Sequence, residues 1–261
     1  MIAQKPLPRS KFASVAERLF FGRYTGDVRE ITFGSADVAA AAEELGYSVV
    51  DQLSEFFIAY GFQQSLPRSI RSTAPRDFEW RVIDGAEGRY RFALRTNFRV
   101  VPDNTLVEYA VNDVSGGDRR PCGSMSKREL LDFVHANRLV EQFTGLRCLS
   151  RKVDVRACVS LGFGTTETIG IHIADLLFGE SRRGATYVMP IYYVSDDEAL
   201  KTREIELGVR LLKEQHPSEI CLPLVTKGVA DDIVVLSCLE IACDGVRKGP
   251  ERRYRIAQKR Y

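Results

Sequence analysis

The spacing of hydrophobic positions in the second half of the chain changes from two residues to about 3.6, which predicts a pair of strands followed by a helix. Ile171, Ile173 and Asp175 occupy alternate positions, so an extended chain places all three on one face. A turn-forming stretch then leads into a second run of β-branched and aromatic residues at 185–194. Acidic residues after that run open an amphipathic helix over 196–215. We therefore expect a β-hairpin and a helix at the centre of this half.

Similar patterns on both sides of this stretch predict the rest of a sheet. Apolar runs at 219–225 and 233–242 are typical of buried strands, and the strand–helix–strand order predicts a crossover in a mixed sheet. Upstream, apolar residues at helical spacing predict one helix over 127–143, with Ser126 and Glu129 in the positions of a capping box.

The first hundred residues have a different order of elements. A short strand at 31–33, a helix at 36–45 with Ser35 as its cap, a second helix at 49–60 and a hairpin at 79–94 follow one another, which is the order of a winged helix. The second helix carries acids, so packing or protein contact explains it better than base reading. The hairpin carries arginines at a spacing that suits phosphate contact, namely Arg81, Arg89, Arg91, Arg95 and Arg99.

These patterns divide the chain near residue 100, where an irregular connection is expected. We predict an N-terminal extension at 1–30, a winged-helix-like α+β module at 31–100, and an α/β domain at 101–261. The last of these is expected to hold a mixed β-sheet flanked by helices.

Composition narrows the functional classes. The chain has 261 residues, 44% of them hydrophobic, and a net charge of +2, so a nucleic-acid surface would need local clustering of cations. The six cysteines form no C-x-x-C pair, which argues against a zinc site. No apolar stretch is long enough to span a bilayer, and we expect a cytoplasmic protein without membrane contact.

Cations do cluster locally in the second half of the chain. A basic tail at 248–261 suits either a solvated strand or contact with a polyanion. A second set is expected to contact duplex DNA through its phosphates. This set comprises Arg147, Arg151, Lys152, Arg156, Arg182 and Arg183.

Several segments resemble a bacterial group of restriction-endonuclease-like proteins of the PD-(D/E)xK nuclease superfamily. They are residues 137–145, the hairpin with its turn at Gly179, and residues 187–190 and 219–223, within a similarity that extends from about 31 to 256. The resemblance implies hydrolysis of a DNA phosphodiester. An acid on one strand and an acidic or amide residue on the next would hold Mg²⁺, and a lysine two positions later would orient the attacking water.

Mapped onto this sequence, the first acid falls at Asp175, with Glu167 as a possible additional acid. The second ligand falls at Tyr192 and the lysine at Val194. A phenol is a poor magnesium ligand at neutral pH, and valine carries no charge. The resemblance therefore implies a nuclease scaffold with an impaired metal site, which would need Mg²⁺ only if it is active.

Three functions stay open at this point. The first is a non-cleaving DNA-binding subunit in bacterial defence or DNA processing, paired with itself or with an active relative. The second is an active Mg²⁺ endonuclease in which Asp196 or Asp197 and Lys201 replace the lost groups. The third is a protein-interaction module without a DNA role. For Asp175 itself, an acid on an edge strand facing solvent is the alternative to a metal ligand.

Overall fold

The structure is a computed structural model that describes residues 9–47, 53–85, 89–98, 100–114, 121–160, 168–194, 202–230 and 232–257. The chain divides into two compact units, the first formed by residues up to Asn97 and the second by Phe98–Val159 and Ile169–Tyr261. Within the described ranges, no helix combines the length and the apolar character that crossing a membrane requires.

The first unit contains four helices, a π-helical turn and three strands among its described residues. In chain order they are α1 (Arg9–Phe21), β1 (Glu30–Phe33), α2 (Ser35–Glu44), α3 (Leu53–Ile58) with the π-helical turn Ala59–Gln63, α4 (Arg68–Arg71), β2 (Phe78–Asp84) and β3 (Tyr90–Thr96). The strands form a small antiparallel sheet in the order β1-β3-β2. The predicted hairpin is thus present as β2 and β3.

Helix α1 belongs to the core of this unit. Its side chains Phe12, Val15 and Phe20 are buried in the same cluster as Phe33 and Phe92. Burying aromatic and branched side chains of this size removes a large apolar area from water. This part of the chain therefore packs with the first unit and differs from the predicted N-terminal extension at 1–30.

The second unit is built around an eight-stranded mixed sheet. Its elements are β4 (Glu108–Asn112), a 3₁₀ turn (Cys122–Ser124), α5 (Lys127–Ala136), α6 (Leu139–Thr144), β5 (Arg147–Ser160), β6 (Thr168–Glu180), β7 (Thr186–Tyr193), α7 (Thr202–Gln215), β8 (Ile220–Cys221), β9 (Leu224–Ala230), β10 (Ile233–Ala242) and β11 (Gly245–Ala257). The strand order is β4-β11-β10-β9-β7-β6-β5, with β8 paired to β7.

The predicted strand–helix–strand crossover is present in this sheet. Strands β6 and β7 form an antiparallel hairpin, and the chain returns after α7 to place β9 parallel to β7. At the far edge, β4 is parallel to β11. The mixed sheet flanked by helices that the sequence predicts is therefore confirmed.

The two faces of the sheet pack against different helices. On β7, Met189 and Ile191 share a buried cluster with residues of α5 and α6. Tyr192 shares another with Ile205 and Val209 of α7, where Val194, just after the strand, also lies. Because successive side chains of a strand point to opposite faces, α5 and α6 cover one face and α7 covers the other.

Local details differ from the predicted elements. The predicted helix over 127–143 is two helices, since Arg138 adopts the left-handed conformation (φ 53°) between α5 and α6. Strand β4 lies where an irregular connection was expected, and strand β9 continues to Ala230, beyond the end of the predicted run at 219–225. Ser35 is the first residue of α2, and the Asp37 carboxylate accepts a hydrogen bond from the Gly34 amide just before the helix.

Candidate functional site

The hairpin of β6 and β7 brings the predicted site residues onto neighbouring strands. Asp175 of β6 lies directly opposite Ile191 of β7 in the antiparallel register. Residues directly opposite one another in such a pair share a face of the sheet. Asp175 therefore lies on the face of Ile191, which is the face covered by α5 and α6.

Asp175 is buried and engaged by a guanidinium. Its side chain is 1% exposed, and Arg151 Nε lies 2.8 Å and 2.9 Å from its two carboxylate oxygens. A buried carboxylate without a partner is costly, and an opposite charge at hydrogen-bond distance stabilises its ionised form. The alternative of a solvent-facing acid on an edge strand is therefore wrong, because β6 is an inner strand and Arg151 covers Asp175.

Arg151 also connects Asp175 to helix α5. Its Nη2 atom donates a hydrogen bond to Asp132 Oδ1 at 2.9 Å. Asp132 also accepts a hydrogen bond from Nε of Arg128, one helical turn earlier. Partial burial raises the pKa of the Asp132 carboxyl, but the hydrogen bonds from Arg128 and Arg151 more than offset it, and the pKa lies below its ordinary value. Burial lowers the pKa of Arg151, but the hydrogen bonds and charge interactions with Asp175 and Asp132 together more than offset burial, and the pKa is raised.

The same chain of charges continues to the surface. Arg128 lies 3.6 Å from Asp154 Oδ2, and His172 Nε2 lies 3.3 Å from Asp154 Oδ1. Asp154 has a left-handed backbone (φ 51°), which interrupts the regular pleat of β5. Acids and bases thus alternate from the buried Asp175 to the exposed His172, an arrangement typical of a structural ion-pair network.

The positions of the expected second ligand and lysine lie on the other face of the sheet. Tyr192 and Val194 pack in the cluster of α7, whereas Asp175 faces α5. Moving the alignment by one residue would use Ile191 and Tyr193, which share the face of Asp175 but are an aliphatic residue and a phenol. Neither alignment supplies an acid or a lysine beside Asp175.

Ile171 and Ile173 also differ from the simple alternation that the sequence predicts. Both approach Gly208 of α7, since a Cβ at Gly208 would lie 3.7 Å and 3.8 Å from their side chains. Asp175, two residues further, faces α5 instead. The prediction that all three share a face is therefore wrong.

Tyr192 is a packing residue of the α7 face. A Cβ at Gly208 would stand 2.8 Å from the Tyr192 hydroxyl, so a glycine is required for helix and ring to approach this closely. Burial, followed by the nearby Cys221 and Glu204, raises the pKa of the Tyr192 phenol well above its ordinary value. The phenol therefore stays neutral and does not act as a metal ligand.

Four of the predicted site residues lie outside the described part of the chain. They are Glu167, Asp196, Asp197 and Lys201. Within the described ranges, no group of three or more His, Cys, Asp and Glu side chains could hold a metal ion. The donor set around Asp175 does not fit Mg²⁺, because the cation Arg151 already contacts both carboxylate oxygens and would repel a second cation.

The predicted DNA-contacting cations divide into engaged and exposed residues. Arg151 is engaged by Asp175 and Asp132, and Arg147, although exposed, contacts Glu180 at 3.1 Å. Lys152 is exposed and lies 5.1 Å from the ring of Phe178. The remaining three are exposed and have no carboxylate partner in the described part of the chain, namely Arg156, Arg182 and Arg183.

The basic tail forms strand β11 through Ala257, and acids of the same unit neutralise most of it. Glu108 contacts Arg253 and Arg255, and Glu251 accepts from Lys248 at 3.0 Å. Arg252 donates to the carbonyl of Gln142. Residues 248–257 of the tail thus belong to an inner strand with internal partners, and residues 258–261 lie outside the described part of the chain.

The arginines of the β2–β3 hairpin are similarly divided. Arg81 pairs with Glu79, and Arg91 contacts Glu30 at 2.8 Å. Arg89 is exposed, Arg95 is half-buried, and Arg99 lies outside the described residues. Two of the five predicted phosphate contacts are therefore neutralised by glutamates.

Asp132 and Arg128 were missed by the sequence patterns. Their spacing of four residues on a predicted helix signals an ion pair with each other. Their link to Asp175 passes through Arg151, which lies 24 positions from Asp175. No local pattern reports such a contact.

Comparison of the chain with family models, with curated proteins and with solved structures gave no match.

Proposed function

We propose that this protein is a DNA-binding, non-cleaving relative of restriction endonucleases that acts in the bacterial cytoplasm, with a winged-helix-like first unit. The observation that carries the non-cleaving part is the contact of Arg151 with Asp175. A guanidinium stands where the family resemblance requires a divalent cation, and the neighbouring strand offers no acid and no lysine to the same face.

The order of elements supports the restriction-endonuclease-like part of the proposal. An antiparallel hairpin, a helix and a strand parallel to the hairpin's second strand follow one another in β6, β7, α7 and β9. In the first unit, a helix, a strand, helices and a hairpin whose second strand pairs with the first strand support the winged-helix-like part.

Exposed cations on β5 and in the β6–β7 turn support the DNA-binding part. From Arg147 to Arg156 the strand extends up to about 30 Å, at about 3.3 Å per residue, which is the length of about nine base pairs. Arg182 and Arg183 lie in the adjacent turn, near Glu180, the partner of Arg147. We propose that five of these cations contact phosphates, namely Arg147, Lys152, Arg156, Arg182 and Arg183. Arg151 instead pairs with Asp175 and Asp132 inside the second unit.

Salt-dependent binding to a short duplex tests this surface. The logarithm of the association constant should fall linearly with the logarithm of salt concentration. Replacing both turn arginines, Arg182→Gln with Arg183→Gln, should reduce that slope by up to about two units, because each lost phosphate contact removes about one.

A matched control removes two charges elsewhere in the same unit. Arg138→Gln with Arg247→Gln neutralises two exposed cations that pair with acids close in sequence, Glu141 and Asp244, and should leave the slope unchanged. Absence of duplex binding by the wild-type protein at low salt would overturn the DNA part and would favour the protein-interaction alternative.

A further inference from the structure

The two edges of the large sheet differ in how they are protected. Edge strand β5 carries exposed charges at Lys152 and Arg156, and its pleat is interrupted by the left-handed Asp154. Charges and irregular backbone on an edge prevent pairing with another strand. This edge is therefore protected against association.

The opposite edge lacks these features. Strand β4 (Glu108–Asn112) contains no lysine, arginine or proline, and pairs on one side with β11 and on the other with no strand in the described part of the chain. Its acid, Glu108, is held by Arg253 and Arg255. Exposed apolar side chains lie on and beside it, with Val107 77%, Tyr109 49% and Val114 66% exposed. An edge of this kind is a template for strand addition.

We propose that β4 pairs antiparallel with β4 of a second copy of this chain, around a two-fold axis at Ala110. Such an interface is self-complementary, because the same strand serves on both sides. In this register Glu108 faces the partner's Asn112, and Tyr109 faces the partner's Val111. No charge faces a like charge, and the small Ala110 side chain stands at the axis.

Charge complementarity favours a second copy over an unrelated extended peptide. Arg253 lies opposite Glu108, so the preceding Arg252 is in line with Val107. Val107 in turn faces the partner's Asp113, which brings a cation and an acid onto one row of the same face. The Arg252 guanidinium already lies beside strand β4, 4.6 Å from the centre of the Tyr109 ring. The two-fold axis creates this opposite-charge row twice.

The proposed interface is small. Pairing of one short strand with its apolar flank buries less than the roughly 1,600 Å² of a standard stable interface. We therefore expect a dimer with a dissociation constant in the micromolar range, present at high concentration and dissociated on dilution. The inference does not depend on DNA binding, and its failure would leave the proposed function in place.

Sedimentation velocity of the full-length protein over a range of concentrations, without DNA, tests the proposal. The wild-type protein should shift from monomer to dimer as concentration rises. Ala110→Lys should weaken the dimer at least about tenfold, since the two-fold axis places the two introduced lysines opposite each other. Leu149→Lys, which changes an exposed apolar residue (52%) on the protected edge β5, should leave the dimer unchanged.

Hydrogen exchange of the β4 amides gives a second readout that does not rely on a variant. Protection at 108–112 should increase with protein concentration while protection of β5 stays constant. A monomer at all concentrations would overturn the proposal. Equal dissociation by Leu149→Lys, or a dimer that Ala110→Lys does not affect, would also overturn it.

Discussion

Arg151 Nε contacts both carboxylate oxygens of Asp175, at 2.8 and 2.9 Å, although the two residues lie 24 positions apart in the chain. The contact joins an edge strand, β5, to an inner strand, β6. Through Asp132 it also ties both strands to helix α5. An acid that resembles a nuclease metal ligand is therefore part of an ion-pair network.

Removing either partner of this pair should destabilise the protein. Arg151→Met leaves the Asp175 carboxylate buried without a cation, and we expect a loss of about 3–5 kcal/mol in the free energy of unfolding. Asp175→Asn should also be destabilising. The double variant should recover part of the loss, because neither charge is then left alone. Urea unfolding of the four proteins measures the coupling, and strictly additive effects would contradict a direct pair.

The stability of the network should depend on pH through Asp132. Its pKa in the folded protein lies below the ordinary value of 3.8. A lowered pKa stabilises the folded state fully above the unfolded value, and this stabilisation is lost as pH falls through the folded value. The difference in unfolding free energy between wild type and Asp132→Asn should thus be constant from pH 6 to 8 and shrink below about pH 4. If the difference in unfolding free energy instead grows as the pH falls below 4, the lowered pKa of Asp132 is contradicted.

The contact of Gly208 with Tyr192 can be tested by a pair of substitutions. Gly208→Ala improves helix propensity by about 1 kcal/mol, but its methyl group would meet the Tyr192 hydroxyl, so we expect net destabilisation of up to about 2 kcal/mol. Tyr192→Phe removes the hydroxyl, which has no hydrogen-bond partner among the described residues, and should rescue the alanine variant. Thermal unfolding of both single variants and the double variant measures this effect. If Tyr192→Phe does not rescue Gly208→Ala, the added methyl group does not clash with the Tyr192 hydroxyl.

The cysteines should differ in reactivity towards an alkylating reagent. Cys243 is exposed, whereas burial raises the pKa of Cys148 to about 12 and that of Cys221 to about 11. Only the thiolate reacts quickly, so at pH 8 Cys243 should be labelled at least about tenfold faster than the other two. Peptide mass spectrometry after timed labelling distinguishes the sites. Equal rates at Cys148 and Cys243 would contradict the described burial.

Hydrophobic spacing and caps predicted much of the second unit because these signals are local. The Ser126–Glu129 capping box forms as expected, with the Ser126 amide donating to Glu129 at 2.8 Å. The break at Arg138 was missed, since the apolar spacing continues through a single left-handed residue. Strand β4 was missed because it is short and half-exposed, and its register comes from β11, far along the chain.

The candidate site was predictable in its strands but not in its contacts. Pairing of β6 with β7 follows from their sequence, and Asp175 indeed lies on this hairpin. Strict alternation fails between Ile173 and Asp175, which face different helices. Asp175 is paired by Arg151, which comes from another strand. In the sequence, the positive charge of Arg151 was equally consistent with contact to a DNA phosphate.

Incubation of supercoiled plasmid with the purified protein in Mg²⁺ or Mn²⁺ tests most directly whether Asp175 serves an ion pair and not a metal ion. The plasmid should stay supercoiled, as it does in a reaction with a chelator. Relaxed or linear product that requires the metal and disappears in Asp175→Asn, while Arg138→Gln retains it, would show that Asp175 holds a catalytic metal ion.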